Sequence, residues 1–152
     1  CEVTTLPIIA AGGIASGKAI VAAQALGAEG VQIGTLFAAS EESSASEAFK
    51  EYCIKLGEED TMLALKKISP SRLAKNALYN KIKEAEDNGA DATTLKNILG
   101  DKSTKRGIFE GDIENGEIEI GQAVTAIKQI QPVKDIISNL ISDYNATLLR
   151  MR

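Results

Sequence analysis

The stretch Leu6 to Phe37, LPIIAAGGIASGKAIVAAQALGAEGVQIGTLF, constrains this chain more than any other. Leu6, Ile8 and Ile9 form an apolar run that stops at Gly12-Gly13. Such a run predicts a parallel strand buried on both faces. Ser16 is a helix-capping residue type, and Ile20, Ala23 and Leu26 recur at roughly helical spacing. Gly27 and Gly30 end that helix, and Val31 and Ile33 make a second short strand that closes at Gly34-Thr35. The order is strand, glycine turn, helix, strand, glycine turn. Both glycine turns therefore fall at the C-terminal ends of successive parallel strands.

That placement points to a phosphate. Binding a phosphate requires several N–H donors aimed at one spot, and glycines let the backbone come close and adopt positive φ. A helix that starts just after the turn adds its positive end, and the Thr35 hydroxyl is one further donor. In (β/α)8 barrels the loops after the last two strands build this kind of site. An ordinary strand-to-helix turn would account for either glycine pair alone. Two such turns on adjacent strands, the second followed by a hydroxyl residue, favour a phosphate site.

At these same residues the sequence resembles a known family. AAGGIASGKAI, then LGAEGVQIGTLF, then ASEESSASEAFKEY are similar to the nitronate monooxygenases, also called 2-nitropropane dioxygenases. FMN-dependent enoyl-acyl-carrier-protein reductases look similar over the same stretch. The likeness continues through SPSRLAKNALYNKI and GIFEGDIENGEIEIGQAVTAIKQIQPVKDII, and leaves out the family's N-terminal half. It implies an α/β fold: the C-terminal part of a (β/α)8 TIM barrel, its last two β/α units, followed by a mainly helical C-terminal segment. It implies FMN as cofactor, held through its phosphate at Gly12, Gly13, Gly34 and Thr35 with Gln32 and Ile33 beside it. In the family the segment GIFEGDIENGEIEIGQA returns toward the flavin, which makes Gln122 a candidate contact at a flavin edge. A catalytic histidine is expected from the N-terminal half; this chain contains no histidine. Ser46 stands where the family often has His, and Leu36 where it often has Arg. These departures bear on substrate handling and leave the backbone phosphate donors untouched.

Composition sets further bounds. A chain of 152 residues, 44% hydrophobic and 25% charged, suits one ordinary globular domain. A net charge of −4 disfavours nucleic acid and anionic membrane surfaces as partners. No spanning segment is evident. Cys1 and Cys53 are too isolated for a zinc site or a disulfide framework and read as reduced thiols, which implies a cytoplasmic protein. The chain opens on Cys1 with a strand almost at once, and so reads as a piece of a longer chain. Without the rest, two parallel strands leave bare edges. The piece is expected to pack with the remainder of a parent chain or to self-associate, through the strand edge of Leu6 to Ala11 and the last helix.

Three segments are expected: 1–56 as the two β/α units with the phosphate turns, 57–122 as a small inserted or cap segment, and 123–152 as C-terminal helices. Within the first, Glu41 and Glu42 suit a helix entrance, and Ala45, Phe49, Tyr52, Cys53 and Leu56 form a helical core stripe. Gly57 to Ser69 reads as a short strand through Thr61, Leu63 and Leu65, with helix as the alternative. Ser71 to Ala85 reads as a helix carrying Arg72 and Asn76, either as a solvated, capped face or as site residues. Asp91 or Thr93 begins another helix that ends at Gly100, and Lys102 to Arg106 reads as a solvated basic loop. Ala123 to Ile130 is expected to be a short helix broken by Pro132. Val133, Ile136, Ile137, Leu140, Ile141, Tyr144 and Leu148 predict a strong amphipathic helix.

Three functions follow. The first is an FMN-dependent oxidoreductase that oxidises alkyl nitronates, a small-molecule substrate, with O2; this chain supplies phosphate binding and is inactive alone. The second is an enoyl-acyl-carrier-protein reductase of similar architecture. The third is a non-catalytic phosphate-binding half-barrel. Another phosphate-binding barrel, such as a nucleotide-precursor synthase, is a weaker fit.

Overall fold

The structure, a computed structural model, describes residues 4–151, so Cys1 lies outside it. Strand β1 (Ile9–Ala11) leads through the Gly12-Gly13 turn into helix α1 (Gly17–Ala25). Strand β2 (Gly30–Gln32) then pairs in parallel with β1, Ile9 opposite Gly30 and Ala11 opposite Gln32. Ser16 caps α1 as expected, its hydroxyl accepting from the Ala19 amide at 3.1 Å. Two local expectations change. Gly30 opens β2 instead of ending α1, which stops near Gly27. The strands are also not buried on both faces, for Leu6 is 72% and Ile9 56% exposed. Among the described residues, β1 and β2 pair only with each other, so nothing covers their outer sides.

One helical turn, α2 (Thr35–Ala38), follows the second glycine turn, and α3 (Glu47–Lys55) follows that. The α3 stripe is core as its spacing predicts, with Phe49 and Cys53 fully buried. Glu42 does not serve this helix. Its carboxylate accepts from the Val133 amide at 2.8 and 3.0 Å, at the start of the last helix, where Pro132 has no side chain able to cap. The entrance of α3 is served by Ser46, whose hydroxyl accepts from the Phe49 amide.

Strand β3 (Thr61–Ala64) settles the ambiguity of that segment in favour of extended chain. It pairs antiparallel with β4 (Ser71–Ala74), Thr61 opposite Ala74. The helix expected from Ser71 therefore starts only at Ala77, as α4 (Ala77–Asp87). Two long-range pairings override local propensity here. One is β3, and the other is the segment around Glu119: the Ala74 amide donates to the Ile118 carbonyl, and the Ile120 amide to the Arg72 carbonyl. Helix α5 (Ala92–Leu99) begins at Asp91 and ends at Gly100, as read from the sequence. The basic run is not a plain loop: Lys105–Phe109 forms a π-helical turn. Gln122–Ala126 is a 3₁₀ turn, shorter than the helix expected there, and the chain is extended again by Ile127.

The last helix, α6 (Val133–Arg150), finds its partner within the chain. It packs on α1, burying Ile136 and Leu140. Gly17 makes that contact possible, because a Cβ there would lie 2.0 Å from the Tyr144 amide nitrogen and 2.6 Å from the Leu140 carbonyl oxygen. Two apolar cores result. One joins α3 to Ala74, Ile118, Ile120, Val124 and Ile127; the other packs the β3–β4 hairpin under α4 and α5 through Leu73, Leu78, Ile82 and Leu95. None of the described helices is long and apolar enough to cross a membrane.

Candidate functional site

The two glycine turns meet at one cavity of about 270 Å³. Its walls are Ala11 to Ile14 from the first turn, Gln32, Gly34 and Thr35 from the second, and Ala123 from the 3₁₀ turn. Parallel pairing of β1 and β2 brings them together, since both strands end at the same edge. Five of the seven residues singled out in the sequence line this space. Ile33 does not; alternation along an extended chain turns Gln32 and Gly34 to one side and Ile33 to the other. Ala11, Ile14 and Ala123 also line the space and are not among the residues singled out.

The turns have the chemistry that an anion needs. Gly12 and Gly13 have φ of +90° and +72°, a region that favours glycine. Gly34 differs: its φ is −99°, and a Cβ there would meet nothing within 4 Å. The fold itself therefore imposes no glycine at Gly34, whereas a group approaching from the cavity would. Among the described residues, the amides of Gly13, Gly34 and Thr35 and the Thr35 hydroxyl have no protein acceptor. The entrance of α1 is already served. Asp143 on α6 accepts from the Lys18 amide at 3.0 Å, and Ser16 accepts from Ala19. The positive end of α1, expected to help an anion, is thus met by a carboxylate of the protein itself.

Gln122 lies next to the cavity wall, but its side chain points its bonding capacity elsewhere. Its carbonyl oxygen accepts from the Thr61 hydroxyl at 2.9 Å and from Arg72 Nη1 at 3.0 Å, and its Nε2 donates to the Glu58 carbonyl at 2.8 Å. The segment does return to the glycine turns: a Cβ at Gly121 would come within 2.7 Å of Thr35 Oγ1. Asn76 is a structural clamp. Its Oδ1 accepts from the Tyr79 amide at 2.9 Å, and its Nδ2 donates to the carbonyls of Ile113 and Gly116 at 2.7 and 2.9 Å. Burial pushes the Cys53 thiol up to about 12, which keeps it protonated and unreactive. Burial, and then the Asp60 carboxylate, also raise the Tyr52 phenol. No cluster of His, Cys, Asp and Glu among the described residues is arranged to hold a metal ion.

The sequence profile of the nitronate monooxygenase family matches residues 1–143. The chain belongs to that family. A probable nitronate monooxygenase of Staphylococcus aureus is 34% identical over 146 residues, spanning 95% of this chain and 40% of that protein. FabK from Thermotoga maritima is similar in structure, with a TM-score of 0.90 and 37% identity over 98% of this chain and 47% of its own. Nitroalkane oxidase from Streptomyces ansochromogenes has the same fold, with a TM-score of 0.80 at 24% identity, covering 99% of this chain and 43% of its own. The chain thus spans between about two fifths and half of the length of these proteins. Its α/β fold is that of the corresponding part of those TIM-barrel enzymes.

Proposed function

We propose that this chain is the FMN-phosphate-binding part of a flavin-dependent oxidoreductase that oxidises alkyl nitronates with O2. The observation that carries the reading is the cavity shared by the two glycine turns, with its unpartnered amides and its unexplained Gly34. Membership of the nitronate monooxygenase family supports the flavin and the substrate class. The amides of Gly13, Gly34 and Thr35 and the Thr35 hydroxyl bind the phosphate oxygens, and Gly12 and Gly13 shape the turn around them. Gln32 flanks the phosphate. Gln122 contributes by placing its neighbour Ala123 in the wall. The flavin supplies the redox chemistry when bound. No histidine is available in this chain to act as a base, so that function comes from residues outside it. The likeness to FabK favours a second reading, reduction of an enoyl thioester at the same flavin site.

The uncovered strands fit a part that works within a larger assembly. The exposed Leu6 and Ile9 side chains are covered by the remainder of a parent chain or by a second copy. The test of the cofactor site is Gly34→Val. It places a side chain where the phosphate approaches, at a φ of −99° and with no atom within 4 Å of the new Cβ. FMN affinity should fall at least about tenfold, equivalent to roughly one lost charge-assisted hydrogen bond, with the urea midpoint unchanged. Unchanged FMN affinity in this variant would overturn the assignment.

A further inference from the structure

We propose that Arg72 is a positioning residue for the cofactor site, acting through Gln122; the inference rests on the cavity assigned above. Arg72 lies on β4, and the cavity is formed by the two glycine turns and Ala123. Its Nη1 donates to Gln122 Oε1 at 3.0 Å and reaches the Thr61 carbonyl and hydroxyl oxygens at 3.2 Å. With the Thr61 hydroxyl, two donors converge on the Gln122 carbonyl oxygen, and the Glu58 carbonyl receives the amide on the opposite side. An amide with two donors on one end and an acceptor on the other has a single favourable orientation. The Gln122 side chain is therefore pinned at both ends, to the hairpin through its oxygen and to the turn before β3 through its nitrogen.

What that pin holds is the wall of the cavity. Gly121 and Ala123 flank Gln122: Gly121 lies against Thr35 Oγ1, and Ala123 lines the space. The preceding residues are fixed to the same strand by backbone, through the Ile120 amide on the Arg72 carbonyl and the Ala74 amide on the Ile118 carbonyl. After Ile120 that backbone ladder ends. Beyond it, Gly121 is kept beside Thr35 by the Gln122 side chain, by the local bonds of a 3₁₀ turn and by the burial of Val124 in the α3 core. Among the described residues Arg72 makes no ion pair. Its Nη1 is committed to neutral oxygens, so what this nitrogen supplies to Gln122 is geometry. Lysine could keep one donor, whereas methionine keeps only the stem.

The experiment compares wild type, Arg72→Met and Arg72→Lys by FMN titration, urea unfolding and amide hydrogen exchange at Val124 and Ile127. The expected result is FMN affinity lowered roughly 3- to 30-fold in the methionine variant, the range of coupling carried through packed networks. Lysine should recover most of that loss. Exchange at Val124 and Ile127 should accelerate in the methionine variant, while amides in β2 and α1 keep their protection. Equal FMN affinity with unchanged exchange at those amides overturns the proposal. So does a loss that protection and urea midpoint share uniformly and that lysine does not recover, since that marks a merely structural role. If wild type itself binds no FMN, the cofactor reading fails, and the exchange comparison alone decides whether Arg72 holds the turn.

Discussion

The two-strand unit at the N-terminal side and the hairpin unit β3–β4 with α4 and α5 are built on opposite principles. The hairpin closes its own core, with Leu73, Ile82 and Leu95 buried between strands and helices. The β1–α1–β2–α2 unit leaves Leu6 and Ile9 in solvent and depends on elements far along the chain: α6 behind α1, and the 3₁₀ turn beside Thr35. The hairpin unit is organised for stability, whereas the first unit gathers backbone donors at one edge and draws its rigidity from outside. A binding site made of glycine turns has few side chains with which to brace itself, so its supports must come from elsewhere.

Breaking the brace on the first unit should have the largest effect. Gly17→Ala sets a methyl group against backbone atoms of α6 that cannot yield, and α6 must shift off α1. The expected loss is about 3 kcal/mol, or roughly 10 °C in the unfolding midpoint, read by calorimetry. In the hairpin unit the corresponding point is Asn76. Asn76→Ala removes the cap of α4 and leaves the Ile113 and Gly116 carbonyls without their donor. A loss of about 2 kcal/mol is expected in urea unfolding. Asn76→Asp should recover only part of it, because a carboxylate keeps the cap but cannot donate to those carbonyls. If the two units are as different as described, only the glycine variant should also weaken ligand binding at the turns.

A smaller effect concerns pH. The Thr94 amide holds the Asp91 carboxyl below the usual carboxylate range, with Lys67 adding to the shift. A depressed folded value means that the contribution of Asp91 is complete above the ordinary carboxylate pKa and disappears as pH falls through the lowered one. Asp91→Asn, which keeps a capping residue but cannot titrate, should flatten the loss of stability below about pH 4. Urea midpoints between pH 2.5 and 5, roughly the window of carboxylate titration, check it; an unchanged slope contradicts it.

Much of the first unit was legible because its signals are local. Gly12-Gly13, Ser16 and Gly34-Thr35 each act within a few residues, and Gln32 lies next to the second turn. Helix α3 and its buried Cys53 follow from periodicity, and so do Ile136 and Leu140 on α6, whereas Ile137 and Ile141 of the same predicted stripe are exposed. The strand Ser71–Ala74 was not legible. Its four residues carry no strand pattern, and it is extended because Thr61–Ala64 and Ile118–Ile120 pair with it across the chain. The protein partners of Gln122 are hidden in the sequence for a related reason. Nothing near it in sequence announces that Thr61 and Arg72, distant along the chain, take up its carbonyl oxygen. Glu42 likewise serves a helix that starts about ninety residues later.

The central claim is that the paired glycine turns bind the phosphate of a flavin. It is tested most directly by titrating the chain with FMN and with riboflavin, which differ only in that phosphate. Charge-assisted bonds from the three free amides and the Thr35 hydroxyl predict FMN binding at least about 100-fold tighter than riboflavin, with the preference falling as salt is added. Equal affinity for the two flavins would contradict the account.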